Sequence, residues 1–307
     1  MTPPSPRALA LVIAIGLAWA TYTHASPAPI TVAEAAALLS PGTPSTCPDV
    51  ECLITRAFAR DRAAQVLALA LFRTTGGVAG VGPAETMDGG YRGTIQLVPQ
   101  LPLGAYRQHL RWTLDALTAI DGFFTAHLAG AATDPPVRYR WRDLRLHFLR
   151  SVAKRTPSAY ATGWTIAYNV RGSLLTTATG VRETLFHELF HLNDFEHGDW
   201  SATQLQADYG AIVARCGTRT RCLTPYAPNT TRVRATGTYY AFQPDNGNGV
   251  HEYAAELAVR YFKEHDELRR TGVLSRPAFK CGPAENARAW AAIVAEFFGG
   301  RDRIPPC

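Results

Sequence analysis

The chain lacks several features that would assign it to a membrane or to a thiolate metal cluster. It has six cysteines but no Cys-x-x-Cys, the spacing common in zinc–thiolate sites. Beyond the first 25 residues, no apolar stretch approaches the roughly 20 residues that span a bilayer. There is no internal repeat and no known nucleic-acid-binding motif. These absences favour a globular monomer that binds no nucleic acid and does not insert stably into a membrane.

The composition is that of a globular protein, with 47% apolar and 18% charged residues over 307 positions. Part of the net charge of +6 comes from an arginine-rich stretch between Arg138 and Arg155, where only Asp143 opposes it. Apolar and basic residues alternate at the start of this stretch. We interpret it as the solvated face of a strand.

The first 25 residues have the pattern of an export signal. Arg7 precedes an apolar run at 8–20, and Ala25 offers a small residue for cleavage before Ser26. We therefore expect residues 1–25 to be a signal peptide and the protein to be secreted or periplasmic. A retained N-terminal anchor is the alternative.

The six cysteines fit such an oxidising compartment. They fall in close pairs, each bracketing one local element: Cys47 with Cys52, Cys216 with Cys222, and Cys281 with Cys307. We predict disulfides between these neighbours, out of 15 possible connectivities. A zinc–thiolate cluster is the alternative.

The chain divides into a helical segment at 26–90 and a larger unit at 91–307. The first segment is either part of the same domain or a pro-segment. Residues 74–90 are predicted to be a loop, and 198–250 to be mostly irregular with a possible helix around 201–214. Hydrophobic spacing predicts the other elements: helices at 48–72, 103–128, 250–269 and 283–298, strands at 91–98, 137–149 and 165–170, and a return strand at 172–177.

The strongest motif is His-Glu-x-x-His at 187–191, flanked by leucines and phenylalanines as in a buried helix. Residues four apart lie one turn apart on the same face of a helix, so His187 and His191 can reach one metal ion with both imidazoles. Glu188 then lies beside the metal, where it can take a proton from a water. The motif predicts a zinc site with Glu188 as general base.

A catalytic zinc site needs a third protein ligand and an open position. His197 has the spacing of the metzincin signature, but Asp194 occupies the position of its glycine. Both methionines, Met1 and Met87, precede the motif, so no Met-turn can follow it. His197 therefore stands as the alternative ligand.

The favoured third ligand is Glu252, in the sequence His-Glu-Tyr-Ala-Ala-Glu at 251–256. Glu256 lies four residues on, where it can accept the N–H of a ligand histidine and fix its tautomer. Its neighbours are apolar, which indicates a buried carboxylate that needs a partner.

Together the two motifs resemble those of the gluzincin metallopeptidases, in particular the branch similar to anthrax lethal factor. In that branch an Asp often follows His-Glu-x-x-His by three residues, as Asp194 does here, and a downstream helix carries Glu-aromatic-x-Ala-Glu. The resemblance implies His187, His191 and Glu252 as zinc ligands, with Glu256 and Asp194 supporting them.

The resemblance also implies an α+β, zincin-like fold: a small mixed sheet, an active-site helix with the His-Glu-x-x-His motif, and a mainly helical C-terminal half. One departure is the long stretch between His191 and Glu252. The function it implies is that of a secreted zinc metalloendopeptidase acting on a protein or peptide.

Two further features of such a site are predicted. Of Tyr239 and Tyr240, which precede the second motif, we choose Tyr240 to stabilise the oxyanion of the tetrahedral intermediate. A strand near 165–177 is the candidate to pair with an extended substrate. The alternatives are a zinc-binding scaffold that grips a partner without cleaving it, an effector with a single target, and a zinc amidase acting on cell-wall material.

Overall fold

The computed structural model describes residues 29–42, 46–89, 93–129, 136–233, 237–244 and 247–307. The predicted signal peptide at 1–25 lies outside this part of the chain. The helices are α1 Val32–Leu39, α2 Val50–Ala57, α3 Arg62–Thr75, α4 Arg107–Leu128, α5 Ala178–Glu196, α6 Trp200–Gln204, α7 Gln206–Cys216, α8 Thr220–Leu223, α9 Gly249–Thr271 and α10 Ala284–Phe297. The strands are β1 Val78–Gly80, β2 Glu85–Asp88, β3 Thr94–Pro99, β4 Arg145–Ser151, β5 Ala159–Thr162 and β6 Thr165–Asn169.

The strands form one mixed sheet in the order β2-β3-β4-β6-β5, and β1 also pairs with β4. The β4–β6 and β1–β4 pairs are parallel, and the other pairs are antiparallel. The predicted α+β class is therefore confirmed. The zincin-like assignment of this fold stays a prediction.

The sheet buries both of its faces and curls. On one face, Phe148 and Tyr168 join the main core with the helices, where α5 packs between α4 and α9. On the other face, Leu97 and Leu149 belong to a smaller apolar cluster. The Tyr160 hydroxyl on β5 donates to Glu85 on β2. Because β5 and β2 are the first and last strands of the order, only a strongly curled sheet brings them together.

The described part of the predicted N-terminal segment shares this core. Leu38, Leu53 and Leu71, one from each of the first three helices, are buried within it. The prediction of a loop at 74–90 is wrong, because β1 and β2 lie there and both join the sheet.

The prediction of a strand at 137–149 is correct only from Arg145 onward. Before it, the backbone N–H groups of Arg138 and Tyr139 donate to the carbonyl of Phe297. The Arg140 N–H donates to the side chain of Asn193. These donors are therefore satisfied by α10 and α5 instead of by a neighbouring strand.

The interpretation of the arginine-rich stretch as the solvated face of a strand is wrong for its start in that no strand forms there, although Arg138 and Arg142 are exposed. Arg138 pairs with Glu296, and Arg140 pairs with Glu196. The Arg140 guanidinium lies 3.5 Å above the ring centre of Trp164. The alternation of arginines with apolar residues in this stretch therefore reflects the docking of the stretch onto α5 and α10.

Two other local predictions need correction. Residues 172–177 form turns, with the Leu175 N–H donating to the carbonyl of Gly172, and no return strand. In the stretch at 198–250, α6 and α7 cover the range of the possible helix at 201–214, and α8 is a further helix where irregular chain was predicted.

The predicted cysteine pairing is confirmed. Disulfides join the three neighbouring pairs, Cys47–Cys52, Cys216–Cys222 and Cys281–Cys307. Within the described ranges, no helix is both long enough and apolar enough to cross a bilayer.

Replacing Asn193 with Ala should lower the free energy of unfolding by about 2–3 kcal/mol, because it leaves buried backbone groups without partners. Asn193 is 1% exposed, accepts from the Arg140 N–H, and donates to the carbonyls of Arg140 and Leu189. Urea denaturation measures the change. Asn229→Ala, at a partly exposed position, is the control; equal losses in both variants would contradict this role of Asn193.

Candidate metal centre

The motif helix α5 is buried almost all round. It begins where the Thr177 side chain accepts the Gly180 N–H at 3.0 Å, and it continues to Glu196. His187 and Glu188 are each only 7% exposed. Helix α9 packs against it, so side chains from both helices meet in one apolar interior.

Three ligand atoms converge between these helices. The Nε2 atoms of His187 and His191 are 3.1 Å apart. The Glu252 Oε2 atom lies 3.0 Å from the first and 3.7 Å from the second. In the described part of the chain, this is the one group of three His, Cys, Asp or Glu residues close enough together to hold a metal ion.

The dimensions of this triangle fit a zinc ion. A circle through the three atoms has a radius of about 1.9 Å, just below the 2.0–2.2 Å typical of zinc bonds to nitrogen and oxygen. The three atoms would therefore be able to hold a zinc ion at normal bond lengths. Two imidazoles and one carboxylate are also a common ligand set of catalytic zinc.

The remaining carboxylates lie beside this triangle. Glu256 is on α9 one turn after Glu252, and its Oε1 atom lies 3.4 Å from Nδ1 of His187. It thus faces the ring nitrogen that does not point at the triangle. Glu188, next to His187 in sequence, makes no hydrogen bond through its carboxylate to any described residue, which leaves it available to a substrate or water.

The groups shift one another's proton affinity. Burial opposes charge on His187, but hydrogen bonds to Glu252 and Glu256 outweigh it and raise the pKa of His187 well above its ordinary value. Burial likewise opposes charge on Glu252, yet its histidine partners lower the pKa of that carboxyl strongly. For Glu188, burial dominates and raises its pKa despite the nearby imidazoles. A raised pKa makes Glu188 a better proton acceptor than a solvated carboxylate.

The structure places His197 and Asp194 away from the triangle. Because α5 continues through Asp194, where the metzincin pattern turns out of the helix, His197 lies beyond its end against α10. There its Nδ1 atom is 2.7 Å from Glu296. The Asp194 carboxylate instead accepts the backbone N–H and hydroxyl of Ser201, at 2.8 and 2.5 Å, and so holds the start of α6.

The two predicted tyrosines have different surroundings. The ring of Tyr240 is half-buried and its centre lies 5.8 Å from that of His187. Tyr239 is 4% exposed, and its hydroxyl lies 3.1 Å from that of Thr224. Of the two, Tyr240 faces the cluster.

A third tyrosine, Tyr209 on α7, was not predicted from the sequence. A Cβ added at Gly249 would lie 2.1 Å from its hydroxyl oxygen, so the phenol rests against the first residue of α9. The charge of Glu252 adds to burial in raising the pKa of Tyr209. The sequence alone does not place Tyr209 at the start of α9, because its position depends on how α7 packs. Gly249, which leaves room for the phenol, is the one sequence feature that reflects this contact.

The strand near 165–177 that was predicted to pair with a substrate has no free edge for it. Strand β6, at Thr165–Asn169, has β4 and β5 as neighbours and offers no open edge. Strand β5 is the last of the order and packs on α5.

No protein-family model, curated protein or solved structure matches this chain significantly.

If Glu252 is the third ligand, Glu252→Ala should lose bound zinc on dialysis while His197→Ala retains about one zinc per chain. Removing one of three protein ligands weakens binding sharply, whereas His197 lies outside the triangle. Elemental analysis of the dialysed proteins measures the difference. Loss of zinc from the His197 variant alone would reverse the assignment.

The packing of Tyr209 on Gly249 predicts coupling between these positions. Gly249→Ala should cost about 1–3 kcal/mol in the free energy of unfolding, because the methyl group overlaps the phenol oxygen. The cost should be smaller in a Tyr209→Phe background, and a double-mutant cycle in urea measures it. Gly210→Ala is the control, since a Cβ there meets only one atom at 3.9 Å. Equal costs in both backgrounds would contradict the contact.

Proposed function

We propose that this protein is a zinc-dependent metallopeptidase of the gluzincin type. The observation that carries the proposal is the triangle of His187, His191 and Glu252 atoms, whose size suits zinc. A zinc-binding scaffold alone would not require Glu188, the residue of the motif that suits proton transfer. Its burial beside the two imidazoles therefore supports hydrolysis.

The chain's own groups have distinct tasks in this proposal. His187, His191 and Glu252 would hold the zinc ion, and Glu256 would fix the orientation and tautomer of His187 through Nδ1. When bound, zinc supplies Lewis-acid chemistry that polarises a carbonyl and acidifies water. Glu188 would accept a proton from the attacking water and deliver it to the leaving amine.

The substrate would be a protein or peptide in extended conformation. Strand β5 ends the sheet and packs on α5, so its free edge is the proposed place for a substrate backbone to add as a further strand. Tyr240, whose ring faces His187, is the proposed donor to the oxyanion of the tetrahedral intermediate.

The proposed site of action is outside the cytoplasm. Three disulfides support an oxidising compartment. The export-signal pattern at 1–25 agrees with a secreted or periplasmic protein.

Glu188→Gln should keep about one zinc per chain but lower peptide hydrolysis at least about 100-fold, because the amide cannot accept the proton. Casein hydrolysis with and without o-phenanthroline measures the activity, and elemental analysis measures the metal. Glu196→Gln is the matched control on the same helix, where the carboxylate pairs with Arg140.

Retained turnover in the Glu188 variant would remove this residue from the mechanism. A zinc-loaded wild-type protein that cleaves neither casein nor a library of peptides would contradict the proposed function itself.

A further inference from the structure

A cavity lies away from the metal centre, between the start of α4 and the connection from β6 to α5. Its volume is about 440 Å³, within the range of sites for small ligands. It borders Thr176, two residues before the first residue of α5, whereas His187 lies nine residues after that first residue. Those nine residues span about 14 Å along the helix, so the cavity is distinct from the metal triangle.

The polar lining of this cavity is basic. Arg155 and Arg171 both line it, together with Gln108, Thr176 and His109, and none of the described lining residues is acidic. Neither arginine forms an ion pair with any other described residue. Two guanidinium groups without a carboxylate partner are suited to an oxyanion, since each presents a planar fork of N–H donors.

The segments that carry the arginines are fixed to each other. The Arg155 side chain donates through Nε to the carbonyl of Arg171 at 3.3 Å, and the Ser173 N–H donates to the carbonyl of Arg155 at 2.9 Å. The Arg171 N–H donates at 3.0 Å to Asn169, a side chain with no exposed surface. The backbone segments that carry the two arginines are therefore joined to each other at the end of β6.

His109 supplies a buried polar group at the same wall. It is 5% exposed, and its Nδ1 atom lies 3.0 Å from the Tyr168 hydroxyl. Its Nε2 atom makes no hydrogen bond to another described residue. Burial lowers the pKa of His109 to about 4, so the ring is neutral near pH 7 and can donate one hydrogen bond without adding charge.

We propose that this cavity binds a small organic anion through a carboxylate or phosphate group held by Arg155 and Arg171. The two groups share the oxyanion that the guanidinium forks recognise. The site is separate from the metal triangle, so the proposal does not depend on the peptidase activity.

The test is calorimetric titration of the full chain with inorganic phosphate and, separately, with succinate, at constant ionic strength. The two probes distinguish a phosphate ligand from a carboxylate ligand. We expect saturable binding of at least one of them, with an apparent Kd that rises about ten-fold or more in Arg155→Gln/Arg171→Gln. The double variant Arg221→Gln/Arg276→Gln removes the same charge from two exposed positions elsewhere and should bind as the wild type does.

Equal affinity in all three proteins would place the anion elsewhere, at the metal centre or on the general positive surface, and would overturn the proposal. Absence of saturable binding of both probes to the wild type would overturn it as well. Circular dichroism checks the fold of the variants. If the double variant does not fold, Arg171→Gln carries the test, since that side chain makes no hydrogen bond within the described residues.

Discussion

The packing of α5 against α9 brings together three carboxylates and two imidazoles that are buried or partly buried, and the rest of the site depends on how their charges are balanced. Buried ionised groups are costly unless they are paired or coordinate a metal. Without a cation, His187 pairs with both Glu252 and Glu256 and compensates part of their negative charge. A divalent ion in the triangle would compensate more of it, as the proposed function requires.

The same packing explains which site residues could be predicted from the sequence. His187, Glu188 and His191 share one helix, so their spacing alone predicts that they act together. Glu252 required a second helix with a short motif of its own, and α9 places it at the triangle. Tyr209 has no comparable signal, because it reaches the start of α9 only through the packing of α7 on that helix.

The errors in the fold prediction have a common physical cause. Alternation at 137–142 indicates that every second side chain is buried, and a strand is the usual way to achieve this. Here the backbone donors go to Phe297 and Asn193 instead, which no local pattern encodes. The short strands β1 and β2 were missed in a glycine-rich stretch for the same reason, since pairing with β4 and β3 defines them. The disulfides were predictable because each closes a short local loop.

The most direct test of the account is a crystal structure of the zinc-loaded protein with anomalous data collected at the zinc edge. We expect one anomalous peak within about 2.0–2.2 Å of Nε2 of His187, Nε2 of His191 and a carboxylate oxygen of Glu252. A peak beside His197 and Glu296, or a zinc ion beyond bonding distance of Glu252, would contradict it.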